Sequence, residues 1–66
     1  MNNHVIAHRP HDNSYININV ISDHPFQHHE IERFVHQFHN CIEIVAIYRD
    51  AHNDTVEHCN NIIHIP

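Results

Sequence analysis

The side chains best suited to chemistry in this sequence are histidines, which number 11 among 66 residues. Four potential metal ligands fall in one stretch with helical spacing: His29, Glu32, His36 and His39. Glu32 and His36 are at i,i+4 and His36 and His39 at i,i+3, so their side chains would be neighbours on one helix face. Imidazole and carboxylate groups suit zinc, nickel, copper or cobalt. A His-rich transition-metal-binding protein is therefore one hypothesis.

The abundance of histidine weakens that metal hypothesis. With so many imidazoles, pairs at helical spacing are expected by chance, and the sequence contains no His-Glu-x-x-His motif and no Cys-x-x-Cys pair. A specific site also needs fixed ligand geometry and supporting hydrogen bonds. The simpler interpretation is a solvated helix face with adventitious zinc or nickel binding, and no cofactor is expected to be required.

Neither the cysteines nor the residue composition indicates an enzyme. His58 and Cys59 are adjacent, and adjacent side chains on a strand point to opposite faces, so they are unsuited to act as a catalytic pair. Cys41 and Cys59 are interpreted as buried apolar residues. The sequence has no glycine and no lysine, which excludes glycine-rich phosphate loops and a Schiff-base lysine.

The composition is as unusual as the histidine content, because Gly, Leu, Lys and Trp are absent while Ile and Asn are abundant. Asn and Lys share their first two codon letters, so a drift in base composition alone does not explain why one is abundant and the other missing. The pattern favours an engineered or recoded reduced-alphabet protein, with His replacing Lys, Ile replacing Leu and Asn replacing Gly. Asn13, Asn40 and Asn53 each fall where a turn or helix end would favour glycine.

The charge argues against a nucleic-acid partner at neutral pH, since the formal net charge is -5 with neutral histidines. A basic parent with lysine at the histidine positions would carry about +6, and protonated histidines would restore part of that charge near pH 5. Nucleic acid is therefore expected only at low pH or for such a parent. The candidate binding residues are aromatic and amide side chains at polar sheet positions: Tyr15, Asn17, Asn19 and Tyr48.

Periodicity predicts the elements that would position these side chains. Residues 15–20 alternate with period two, which predicts a strand with Ile16, Ile18 and Val20 on its covered face. Residues 26–39 are expected to form a helix, capped by Ser22 or Asp23 and with Pro25 in its first turn. The predicted apolar stripe of that helix consists of Ile31, Phe34, Val35 and Phe38.

The remaining strands complete an α+β fold. We expect a loose terminus at residues 1–3, a short edge strand at 5–7, and a central strand at 41–49 that is apolar on both faces. A hairpin turn at 51–54 would lead into a last strand within 55–65. Residues 1–66 would thus form a single small β(β)αββ domain, with a mainly antiparallel sheet and one helix packed on one face.

The β-α-β-β portion resembles the first half of a ferredoxin-like or ACT-type domain, with residues 20–25 at the turn from strand to helix. The glycine that often follows the proline in such domains and their second helix are both missing. The resemblance implies small-ligand sensing at an oligomer interface as a third functional class.

Length and hydropathy indicate how the protein is stabilised and where it is expected to be located. A chain of 66 residues buries only about 60% of its unfolded surface, so added stability from a homodimer is expected. A single helix leaves one sheet face and the sheet edges for that contact. The longest apolar run, residues 44–48, is too short to span a bilayer, and no secretory segment is recognised, so a cytoplasmic protein is expected. The main hypothesis is a non-enzymatic binding or scaffold domain.

Overall fold

A computed structural model describes residues 1–38 and 42–66 of the protein. Its elements are, in chain order, β1 (Asn2–Arg9), β2 (Ser14–Ser22), α1 (His28–Phe38), β3 (Glu43–Tyr48), α2 (Asn53–Val56) and β4 (Asn61–Ile65). The strands form one sheet in the order β3-β1-β2-β4, with β1 antiparallel to β2 and β3, and β2 parallel to β4. The predicted α+β class is confirmed, with a mostly antiparallel four-stranded sheet and one main helix.

The hairpin of β1 and β2 forms the centre of the sheet. Val5 pairs with Ile18 and Ala7 with Ile16, which places these apolar side chains on one face, where they are buried. The turn between the strands contains Asn13 at φ 56°, in the left-handed region that asparagine tolerates better than most residues. The predicted role of Asn13 as a turn residue is therefore confirmed.

The helix α1 covers this apolar face. Ile31 and Val35 are fully buried there, and Phe34 packs against the same core from a half-buried position. Burial of an aliphatic side chain of this size stabilises the fold by roughly 1.5–3 kcal/mol. The predicted stripe is confirmed for these three residues. The helix begins at His28, and the buried Phe26 precedes it as part of the connection.

The amino terminus belongs to the sheet, so the expected loose terminus and short edge strand are wrong. Strand β1 begins at Asn2 and lies between two neighbours. The buried side-chain amide of Asn3 donates to the carbonyl oxygens of Val20 (2.9 Å) and Met1 (3.2 Å). Its side-chain oxygen accepts a hydrogen bond from the backbone N–H of Asp50 (3.1 Å). These bonds tie the start of β1 to β2 and to the end of β3.

Strand β3 lies at an edge of the sheet and not at its centre, as had been expected from its apolar residues. Ile44 and Ile47 pack against the core, and Val45 is 51% exposed. The register against β1 shifts between the pairs Ile6↔Ala46 and Ala7↔Ile44, which leaves Val45 as an unpaired bulge residue. The apolar residues on the second side of this strand are therefore explained by the bulge, and they do not show that β3 is buried on both sides.

The predicted hairpin between the last two strands is also wrong, because β3 and β4 lie at opposite edges and run parallel. Parallel strands need a crossover connection. Here the crossover contains α2, and it passes over the sheet face opposite α1, where the side-chain amide of Asn2 donates to Asn53 Oδ1 at 2.6 Å. Asn53 begins α2 and does not occupy a glycine-like turn position. The half ferredoxin-like arrangement is accordingly not confirmed.

Three expectations fall on residues outside the described ranges, namely the roles of His39, Asn40 and Cys41. Within residues 1–38 and 42–66, no helix has the length and apolar character needed to cross a membrane.

Candidate functional site

The sheet face opposite α1 carries the predicted binding residues. The helix α2 covers part of this face, where Val56 is buried, and Tyr15 and Tyr48 remain exposed. The face is called the open face below. Because Val5 and Ala7 face α1, alternation along β1 turns His4, Ile6 and His8 to the open face. The register then places neighbouring strand residues beside them: Asn19, Asn17 and Tyr15 on β2, and Ala46 and Tyr48 on β3.

Two histidine–tyrosine pairs dominate this face. The rings of His4 and Tyr48 are stacked, with centroids 5.8 Å apart and an interplanar angle of 28°. The rings of His8 and Tyr15 lie 5.0 Å apart at 42°. Tyr48 is 56% exposed and Tyr15 63% exposed, so each phenol ring still offers surface to a ligand.

Hydrogen bonds fix the orientation of both imidazoles. Nε2 of His4 lies 2.9 Å from Asn17 Oδ1, and Nε2 of His8 lies 2.9 Å from Asn13 Oδ1. Because an amide oxygen only accepts, each Nε2 is the donor in this assignment. Nδ1 of His8 lies 3.7 Å from a carboxylate oxygen of Glu43. Both rings are thereby held against their tyrosines.

Three of the four predicted binding residues are accessible on this face, namely Tyr15, Asn17 and Tyr48. Asn19 is only 8% exposed, since it lies between His4 on β1 and Ile62 on β4. Its amide donates to Asn2 Oδ1 at 3.4 Å, which makes it part of the framework. Sequence reasoning missed His4 and His8, although their alternation with Val5 and Ala7 would have placed them on one face.

A shallow cavity of about 430 Å³ lies between Tyr48 and α2. Its lining combines aromatic, apolar and polar groups: His4, Ile6, Tyr48, Ala51, His52 and Thr55. Such a surface can stack against a planar ring and donate or accept hydrogen bonds at its margin. The chemistry that the open face offers is therefore non-covalent binding.

The predicted metal ligands lie on α1, on the other side of the sheet. His29 and His36 are exposed, and Glu32 Oε1 contacts His28 Nε2 at 2.7 Å, a residue that the metal hypothesis did not include. His39 lies outside the described residues. Among the residues that the structure describes, no three His, Cys, Asp or Glu side chains are grouped so that they could hold a metal ion. The metal site stays a prediction.

Cys59, the described cysteine, is half-buried, and burial raises the pKa of its thiol. A raised pKa lowers the thiolate fraction at neutral pH, which makes this sulfur a poor nucleophile. Cys59 therefore adds no reactive group to the open face.

The turn from β2 to α1 holds a second cluster of polar groups. His24 Nδ1 lies 3.3 Å from Asp23 Oδ1, and His24 Nε2 lies 3.4 Å from Glu30 Oε2. Hydrogen bonds to Asp23 and then to Glu30 raise the pKa of His24 above the ordinary histidine value. Ser22 Oγ accepts from the His24 N–H (3.2 Å) and donates to the His24 carbonyl oxygen (2.8 Å). This cluster stabilises the turn.

No protein-family model, curated protein or solved structure matches the chain. Its function is therefore inferred from the geometry of its own residues.

Proposed function

We propose that this protein is a small non-enzymatic binding domain, recoded in a reduced alphabet, that forms a homodimer through the free edge of β4. The observation that carries the proposal is the chemistry of that edge. Strand β4 has no Asp, Glu, Lys, Arg or Pro, and its Ile62 is 60% exposed. Among the described strands none lies beyond β4, so its outer backbone donors and acceptors are available to another strand.

The opposite edge is less suited to pairing. Strand β3 is interrupted by the bulge at Val45 and carries Glu43 at its start. Bulges and charged residues are features that discourage edge-to-edge association. The contrast between the two edges favours β4 as the contact surface.

A cleft beside β4, with both isoleucine and asparagine in its lining, adds to the case. The cleft has a volume of about 270 Å³ and is lined by Ile16, Ile18, Val35 and residues 60–63. Antiparallel pairing of two β4 strands about a two-fold axis would bring the partner's side chains beside this cleft. The pairing would also join two four-stranded sheets into one and bury additional apolar surface, which a chain of this length needs.

The test compares two lysine substitutions at exposed apolar residues on opposite edges. In sedimentation velocity at about pH 7.5, the wild-type protein should sediment as a dimer of the 7.9 kDa chain. Ile62→Lys should raise the dissociation constant by at least about tenfold, since it places a charge at the contact, a change of about 1.4 kcal/mol. Val45→Lys, the matched control on β3, should leave the dimer intact.

Two results would contradict the β4 interface. One is a wild-type protein that remains monomeric at high concentration. The other is a dimer that Val45→Lys dissociates and Ile62→Lys does not, which would assign the contact to the β3 edge.

A further inference from the structure

The open face concentrates imidazoles around its two exposed tyrosines. The cavity beside Tyr48 is lined by His4 and His52. A second cavity, of about 270 Å³, places Arg9 and His58 beside Tyr15 and Asn17. His8 packs on Tyr15. Each tyrosine is thus surrounded by side chains that become cationic in mild acid.

The carboxylates near this face each lie close to a basic group or remain in solvent. Glu43 lies 3.7 Å from His8, Asp12 lies 3.3 Å from Arg9, and Glu57 lies 3.5 Å from His58. Asp54 on α2 is exposed.

The sign of the charge on this face depends on pH. With neutral imidazoles, Arg9 faces four carboxylates, and the face is negative. With the four imidazoles protonated, five cations face the same four carboxylates, and the face becomes positive.

The two aromatic positions are spaced along the sheet. Their partners His4 and His8 are four residues apart on β1, which corresponds to about 13 Å. This spacing would let two separated bases of one strand stack on Tyr48 and Tyr15. Aromatic stacking combined with a cationic surface is the usual chemistry of single-strand binding.

We propose that the open face binds single-stranded nucleic acid in mildly acidic solution, with bases stacked on Tyr15 and Tyr48 and phosphates paired with the surrounding imidazolium groups. This activity goes beyond self-association, and it uses residues other than the β4 edge. Its test can therefore fail while the dimer stands, and the dimer can fail while nucleic-acid binding stands.

The test measures fluorescence anisotropy of labelled oligonucleotides of about twelve nucleotides, as DNA and as RNA, with a dilute solution of the 66-residue protein. Binding at about pH 5 should be at least tenfold tighter than at about pH 7.5 and should weaken steeply with added salt. The double variant Tyr15→Ala, Tyr48→Ala should lose at least about fivefold in affinity at pH 5, and Tyr15→Phe, Tyr48→Phe should retain it, because the phenylalanine rings still stack.

Two controls separate stacking from general attraction to anions. His28→Gln removes one imidazole from α1, on the other side of the sheet, and should leave affinity within about twofold of wild type. Inorganic polyphosphate of matched charge should compete poorly, since it has no bases. Equal competition by polyphosphate, an alanine double variant that binds like wild type while its circular dichroism is unchanged, or no binding at pH 5 would each overturn the proposal. A preference between the DNA and RNA probes would show whether the 2′-hydroxyl is also contacted.

Discussion

At the scale of single residues, His24 shows how one side chain can link two elements. Its two ring nitrogens reach Asp23 at the end of β2 and Glu30 in the first turn of α1. Both contacts favour the protonated ring, which is why the pKa of His24 lies above its ordinary value. The turn between β2 and α1 is consequently sensitive to pH.

The raised pKa leads to a prediction about stability. A histidine whose pKa is higher in the folded than in the unfolded chain stabilises the fold below the unfolded value of about 6.5. That stabilisation is lost as the pH rises through the folded pKa. The difference in the free energy of unfolding between wild type and His24→Gln should therefore be larger at about pH 5.5 than at about pH 8, as measured by urea denaturation.

The control for this effect is His29→Gln, which removes another exposed imidazole, on α1, and leaves the turn intact. If the two variants showed the same pH dependence relative to wild type, the stabilisation could not be assigned to the contacts of His24.

Alternation of side chains along a strand predicts the accessible positions of Tyr15 and Asn17. It does not predict that of Tyr48, because the bulge at Val45 places Tyr48 on the face opposite Ile44. Burial of Asn19 could not be predicted in the same way. Asn19 lies on the same face of β2 as Asn17. It is buried because β4 lies beside it, and the position of β4 depends on the strand order. His4 was overlooked because only three apolar residues of β1 were read as strand.

At the scale of elements, the turn of the first hairpin tests the idea that asparagine replaces glycine. Asn13 has φ 56°, a region that glycine enters without steric cost and alanine enters at a cost of about 1 kcal/mol. Asn13→Gly should therefore be more stable to urea than Asn13→Ala by about 1 kcal/mol. Loss of the 2.9 Å bond to His8 is common to both variants, so it cancels in the comparison.

Asn53 provides the matched control. It begins the short helix α2, where glycine has no conformational advantage. Asn53→Ala should equal or exceed Asn53→Gly in stability, the reverse of the order at Asn13. The same order at both positions would show that the backbone at Asn13 does not determine the result.

The secondary-structure elements were largely predictable from the sequence, whereas the pairing of the strands was not. The period of two in β2 and the apolar stripe of α1 follow from local geometry, and both are found. The pairing of strands depends on contacts that local periodicity does not encode. The apolar side chain of Val45 predicts a second covered face of β3. In the structure a one-residue bulge explains the position of this side chain.

At the scale of the whole molecule, the histidines govern solubility. The formal charge is -5 with neutral histidines, and protonation of all 11 would set 14 basic groups against 8 acidic ones. The charge therefore passes through zero near the sequence pI of about 6.1. We predict a solubility minimum between about pH 5 and pH 6.5, because low net charge promotes association.

Solubility is readily measured by the protein remaining in the supernatant from about pH 4 to pH 8. A flat profile would indicate that the histidines do not titrate together.

The parallel pairing of β4 with β2 has a consequence for how the chain folds. Ile18 pairs with Asn61 across an intervening chain that contains α1, β3 and α2, whereas β1 and β2 are joined by a short local turn. Long-range pairings of this kind are entropically slow to form, so β4 is expected to dock last. Until it docks, β2 has an open side that can accept the β4 strand of another molecule in place of its own. Refolding at high protein concentration would therefore favour dimers that exchange this strand, a domain swap with the same local contacts as the monomer.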